Sequence, residues 1–137
     1  MRYDRTVRVD TDFATTVERV RDALAEQGFG ILTEIDVTAT LKAKLGRAAE
    51  DIEDYVILGA CNPALAHRAL ETDRSIGLLL PCNVVVRRDG DRTAVQALDP
   101  NTMVSLTELD ALRPVAEEAT RRLEAALTSL TAAEPTD

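Results

Sequence analysis

"SIGLLLPCNVVVRRDGDRTAVQAL", residues 75–98, is the stretch whose reading decides the fold. At its centre "RDGD" (88–91) carries Asp89-Gly90, a strong two-residue hairpin signal, and "RTAVQAL" reads as the returning strand. Strands joined by so short a turn run antiparallel, because a parallel pair needs a crossover of a dozen residues or more. The apolar first half reads as an extended segment, broken or bulged at Pro81, since proline has no amide to donate to a central ladder.

Working back toward the N-terminus, "YVILGA" (55–60) is a short apolar run that reads as a buried strand. Asn62-Pro63 then has the chemistry of a helix cap followed by proline at the first helical position, which predicts a helix over 63–72. "RYDRTVRVD" (2–10) alternates, with Tyr3, Arg5, Val7 and Val9 on one side, and reads as a half-buried first strand. Asp12 caps a helix in which Phe13, Val17, Val20 and Leu24 recur at helical spacing, and Gly28 stops it. "FGILTEIDV" (29–37) alternates again, Ile31, Thr33, Ile35 and Val37 against Leu32, Glu34 and Asp36. Thr38 is the expected cap of a short helix ended by Gly46, and "RAAEDIED" (47–54) is expected to be a surface connection.

Beyond the hairpin, "DPNT" (99–102) reads as a turn. Val115, Ala119, Leu123, Ala126, Leu127 and Leu130 form one apolar stripe of a long helix, which Pro114 starts or kinks. Hairpins beside helices, without a regular βαβ rhythm, predict an α+β fold with a largely antiparallel sheet in the order β-α-β-(α)-β-α-β-β-α. One domain is expected over residues 1–131, with a frayed tail at 132–137, because 137 residues leave little room for a second core.

The formal net charge of −8 argues against nucleic acid, whose phosphates are neutralised by basic side chains. No apolar run is long enough to span a bilayer as a helix. The opening "MRYDRTVRVD" is polar and unlike a signal peptide, so the cytoplasm is the expected location, with reduced cysteines. No glycine-rich phosphate-binding motif follows any strand, and no particular cofactor is indicated.

The chain has two cysteines and one histidine, and both cysteines stand in Cys-Asn pairs, Cys61-Asn62 and Cys82-Asn83. If Asn62 caps a helix, Cys61 lies just outside its N-terminus, where unpaired amides and the helix dipole favour a thiolate. The bland reading is a small apolar residue at a strand end. His67 follows Pro63 by one helical turn and is either a partner at that helix mouth or a half-buried, hydrogen-bonded ring. Cys82 follows a proline, and Glu34 is either buried with a shifted ionisation or merely solvated. Cys61, His67 and Cys82, with Glu34, suit zinc or copper by type, although no C-x-x-C spacing supports it. A Cys-His nucleophilic pair, with Asn62 or Asn83 as hydrogen-bond donor, is the other chemical option.

"EQGFGILTEIDVTATLKAKLG" (26–46), "YVILGACNPALAHRAL" (55–70) and "IGLLLPCNVVV" (76–86), in that order, resemble the family catalogued as domain of unknown function 302. The family's pattern falls on Gly28, Phe29, Glu34, Leu58, Gly59, Cys61, Asn62, Pro63, His67, Pro81, Cys82 and Asn83. The chain departs from it in the longer acidic connection at 47–54 and in its C-terminal tail. The resemblance implies a small α+β protein similar in fold to the TATA-binding-protein-like group, a curved antiparallel sheet packed by helices, forming homodimers. It implies no mechanism. Two functions are therefore carried forward. One is a small-ligand or soft-metal site, with or without thiol chemistry, at Cys61, His67, Cys82, Glu34, Asn62 and Asn83. The other is a non-catalytic dimeric module in which the motif only shapes the fold. Whether the chain is an enzyme is left open.

Overall fold

The computed structural model describes residues 2–132. The elements run β1 (Asp4–Val9), α1 (Phe13–Glu26), β2 (Gly30–Asp36), α2 (Val37–Leu45), β3 (Tyr55–Cys61), α3 (Pro63–Thr72), β4 (Cys82–Asp89) and β5 (Arg92–Leu98). Then come α4 (Asn101–Thr107) and α5 (Arg113–Ala132), with 3-10 turns at Gly46–Ala49, Arg74–Leu79 and Asp110–Leu112. All strand pairs are antiparallel, in the spatial order β1-β5-β4-β3-β2, so the α+β expectation holds.

Period-2 alternation assigns the two faces. Val7, Val9, Val95, Ala97, Val84, Val86, Leu58, Val56 and Ala60 meet Val20, Ala23 and Leu24 of α1 and Leu123, Ala126, Leu127 and Leu130 of α5 in one apolar core. A second cluster joins Leu65 and Ala69 of α3, Met103 and Val104 of α4, and Val115, Ala116 and Ala119 of α5. Helix α5 therefore bridges both clusters, one with each half of its stripe. On the opposite face, Arg87 Nε donates to Gln96 Oε1 at 2.9 Å and Gln96 Nε2 donates to Thr6 Oγ1 at 3.1 Å.

Local chemistry explains most boundaries. Asp12 caps α1 by accepting from the Thr15 amide at 2.8 Å, and Gly28 (φ +85°) ends the segment in a conformation that disfavours side chains. Pro114 is the second residue of α5, so it starts that helix.

Five expectations are corrected. The alternation of β2 breaks at Leu32, because a bulge separates the pair Ile31–Ala60 from Thr33–Gly59. Ile31 thus packs on the core while Thr33 and Ile35 take the other parity. Asp36, not Thr38, caps α2, accepting from the Ala39 amide at 2.9 Å; Thr38 is buried and donates to the Glu53 carbonyl at 2.7 Å. The segment before Pro81 is a 3-10 turn, not extended, since Asp73 caps Ser75 and only Ile76 of that run is buried. Asp89 pairs with Arg92, so the hairpin loop is Gly90-Asp91, one residue later than expected, with Gly90 at φ +66°. Asn101 and Thr102, read as the end of a turn at 99–102, instead open α4 (Asn101–Thr107). The tail expected at 132–137 lies, apart from Ala132, outside the described residues.

Candidate functional site

The two Cys-Asn pairs meet where β3 ends and β4 begins. Cys82 pairs with Ala60 across these strands, and Cys61 follows Ala60 as the last residue of β3, so the two cysteines stand side by side at the strand end. Directly after Cys61, Asn62 Oδ1 accepts from the Leu65 amide at 3.2 Å, and Pro63 opens α3 as the capping chemistry predicts. Before Cys82, the Leu80–Pro81 peptide is cis. The strand end, α3, α4 and α5 border a partly open apolar cavity of about 30 Å3, lined by Cys61, Asn62, Pro81, Cys82 and Met103 together with Phe29, Leu65, Ala69, Val115 and Ala119.

Both cysteines are free and half-buried. Burial pushes the Cys82 thiol up, and the neighbouring Cys61 adds to the effect by disfavouring a second negative charge beside it. Asn62 also approaches the turn after α1. A β-carbon at Gly28 would stand 3.0 Å from Asn62 Nδ2 and 3.2 Å from Arg122 Nη1, which itself donates to the Gln27 carbonyl at 3.0 Å.

The remaining sequence candidates go elsewhere. His67 has a side chain 75% exposed, and its Nδ1 lies 3.3 Å from Glu71 Oε1 one turn on. The inward face of α3 is set by Leu65 and Ala69; His67 shares a face with exposed Pro63 and so turns away from the cavity. Glu34 forms an ion pair with Arg21 of α1 and is exposed, as the solvated reading has it. Asn83, one residue after Cys82, takes the opposite face of the sheet, where it lines a groove of about 260 Å3 with Tyr3, Asp4, Tyr55 and Gln96. The metal set Cys61–His67–Cys82 is therefore not assembled. Among the described residues no three His, Cys, Asp or Glu side chains gather in a way that would hold a metal ion. In place of His67 the cavity receives Met103, which lies in a stretch with no local pattern and carries no sequence signal of its own.

Against this geometry, known proteins were compared. The family described as a domain of unknown function, DUF302, matches residues 5–130. The chain belongs to the DUF302 family. A crystal structure of an uncharacterized conserved DUF302 protein from Bacillus stearothermophilus is similar at 32% identity, covering 95% of this chain and 99% of that one, with a TM-score of 0.87. Comparison with curated proteins found no match. DUF302 membership thus agrees with the antiparallel α+β architecture and names no ligand. In addition, no helix among the described residues is long and apolar enough to cross a membrane.

Proposed function

We propose that this DUF302 chain is a small-ligand-binding protein whose site is the cavity between Cys61 and Cys82. The observation that supports the reading is that the only two cysteines of the chain, from different strands, line one small apolar cavity at the mouth of α3. Size narrows the ligand. A single water needs roughly 10–15 Å3 of such space, so a cavity of about 30 Å3 takes two or three water-sized groups and no drug-sized molecule. Two thiols in an apolar shell favour a soft ligand or thiol chemistry over binding of a hard, strongly hydrated ion. His67, Glu34 and Asn83 have no part in this site. The competing reading is a dimeric module in which both thiols only fill space, and homodimerisation is compatible with either.

Thiol accessibility in the native protein separates the two. Full-length protein is treated with iodoacetamide near neutral pH and read by mass spectrometry, with and without urea. The binding reading expects Cys61 to be labelled in the native state, and more rapidly than Cys82, which burial keeps protonated. Two thiols that react only in urea would leave the structural module as the better account. Native mass spectrometry on the same sample reports the oligomeric state.

A further inference from the structure

A third sulfur-bearing residue lines the cavity. Met103, at the third position of α4, is 3% exposed and lines the same cavity as Cys61 and Cys82. The chain has two cysteines and two methionines, and among the described residues the sulfur side chains are these three alone. They come from β3, β4 and α4, separated by twenty-one positions each (61, 82, 103), so no local pattern brings them together. Resting on the reading that this cavity is a ligand site, we infer that it is built for a monovalent soft cation of the copper(I) and silver(I) class, held by the two cysteine sulfurs and the thioether of Met103.

Donor chemistry carries the choice. Thiolate and thioether ligands select soft monovalent copper, whereas zinc sites are completed to four ligands by imidazole, thiolate or carboxylate. No such fourth group is at hand: His67 faces away, Glu34 is tied to Arg21, and no larger His/Cys/Asp/Glu cluster forms among the described residues. The remaining lining is apolar apart from Asn62, so hard cations, which keep oxygen ligands and water, find nothing to bind. A cavity of about 30 Å3 accepts a bare ion without an added hydration shell. The unbranched methionine side chain, with three rotatable bonds, can turn its sulfur without moving α4. Binding forms two metal–sulfur bonds at the cysteines and releases the two thiol protons to solvent, while the thioether adds its lone pair without losing a proton. No electron transfer is involved. The chain's charge of −8 favours approach of a cation over an anion.

Silver(I) serves as the redox-inert probe. The reduced full-length chain is titrated with silver nitrate in chloride-free buffer, with binding read by native mass spectrometry and by competition with a thiol chelator. Expected are one silver ion per chain, release of about two protons, and protection of both cysteines from iodoacetamide. Met103→Leu conserves core volume, and its fold is checked by circular dichroism; losing a direct ligand should weaken silver binding by at least about 10-fold, the lower end of what loss of an outer-shell partner costs. Zinc in equimolar amount should not displace the silver. Three results overturn the inference while leaving the broader reading standing: unchanged affinity in a folded Met103→Leu, displacement by zinc, or no silver uptake by a protein whose native thiols still alkylate. Thiols inert to both silver and iodoacetamide in the native state overturn the reading itself.

Discussion

A β-carbon at Gly59 would collide with Thr33 Oγ1 and stand 2.9 Å from the Pro81 ring. Gly59 pairs with Thr33 on β2 and Asn83 on β4, so the crowding comes from both neighbouring sides of the strand that ends at Cys61. Gly59→Ala is expected to cost about 1–3 kcal/mol, the usual range for overpacking. Adding Thr33→Ala should recover part of it, because it removes the nearer atom but not the proline ring. Urea denaturation of the two single variants and the double variant measures the coupling; additive behaviour would contradict the contact.

Asn62 is the cap of α3, and its acceptor role needs only an oxygen. Asn62→Ala should lower stability by about 1 kcal/mol, while Asn62→Asp keeps most of it. The same pair, assayed by alkylation, separates helix capping from cavity chemistry, since a frayed α3 would expose Cys61 and raise its labelling rate only in the alanine variant.

Leu58, with 0% exposure, lies mid-way along the interior strand β3, and Leu78, 89% exposed, lies on the 3-10 turn before Pro81. Truncating the first leaves a cavity between sheet and helices, so Leu58→Ala should cost about 2–5 kcal/mol. Leu78→Ala should stay within about 0.5 kcal/mol of the parent. Thermal and urea melts read both, and a large loss from Leu78→Ala would reveal a packing role that its exposure does not indicate.

Asp12 supplies a pH signature. The Thr15 backbone amide and hydroxyl hold its carboxyl below the usual carboxylate range. A depressed folded-state value means that the carboxylate's contribution is fully present above the unfolded range and is lost as pH falls through the folded value. The stability difference between the parent and Asp12→Ala should therefore be constant near neutrality and shrink as the medium is acidified past the carboxylate range. A difference that grows on acidification would reverse the assignment.

Where one residue carried an unambiguous local signal, the sequence reading located the element. Asn62-Pro63 marked the start of α3 and Asp12 the start of α1, because capping needs only a side chain and its own next turn. The turn glycine of the hairpin likewise announced antiparallel pairing, though the loop slipped by one residue to Gly90-Asp91. Features set by pairing across strands were not legible. The bulge at Leu32 depends on how β2 meets β3, and it alone decides which parity Ile31 and Ile35 take. The candidate site divides along the same line. Cys61 and Asn62 were readable from the helix start, and Cys82 joins them only through the register of β3 and β4. The helical phase of His67 is legible but the direction of the core is not, so neither the helix-mouth nor the half-buried alternative matches its exposed position beside Glu71. Met103 had no signal at all, since its only distinction is which cavity it reaches.

The edge strand β1 has one partner, β5, in the register Asp4–Leu98 through Val9–Thr93. During synthesis from the N-terminus, β1 therefore waits for some ninety further residues before the ladder that receives it exists. Closing that long a loop is an entropic cost met late, so pairing of the first strand belongs to the end of folding and not to its nucleus. An emerging chain stopped before β5 would present Val7 and Val9 unpaired, which makes the N-terminal strand the segment most in need of protection on the ribosome.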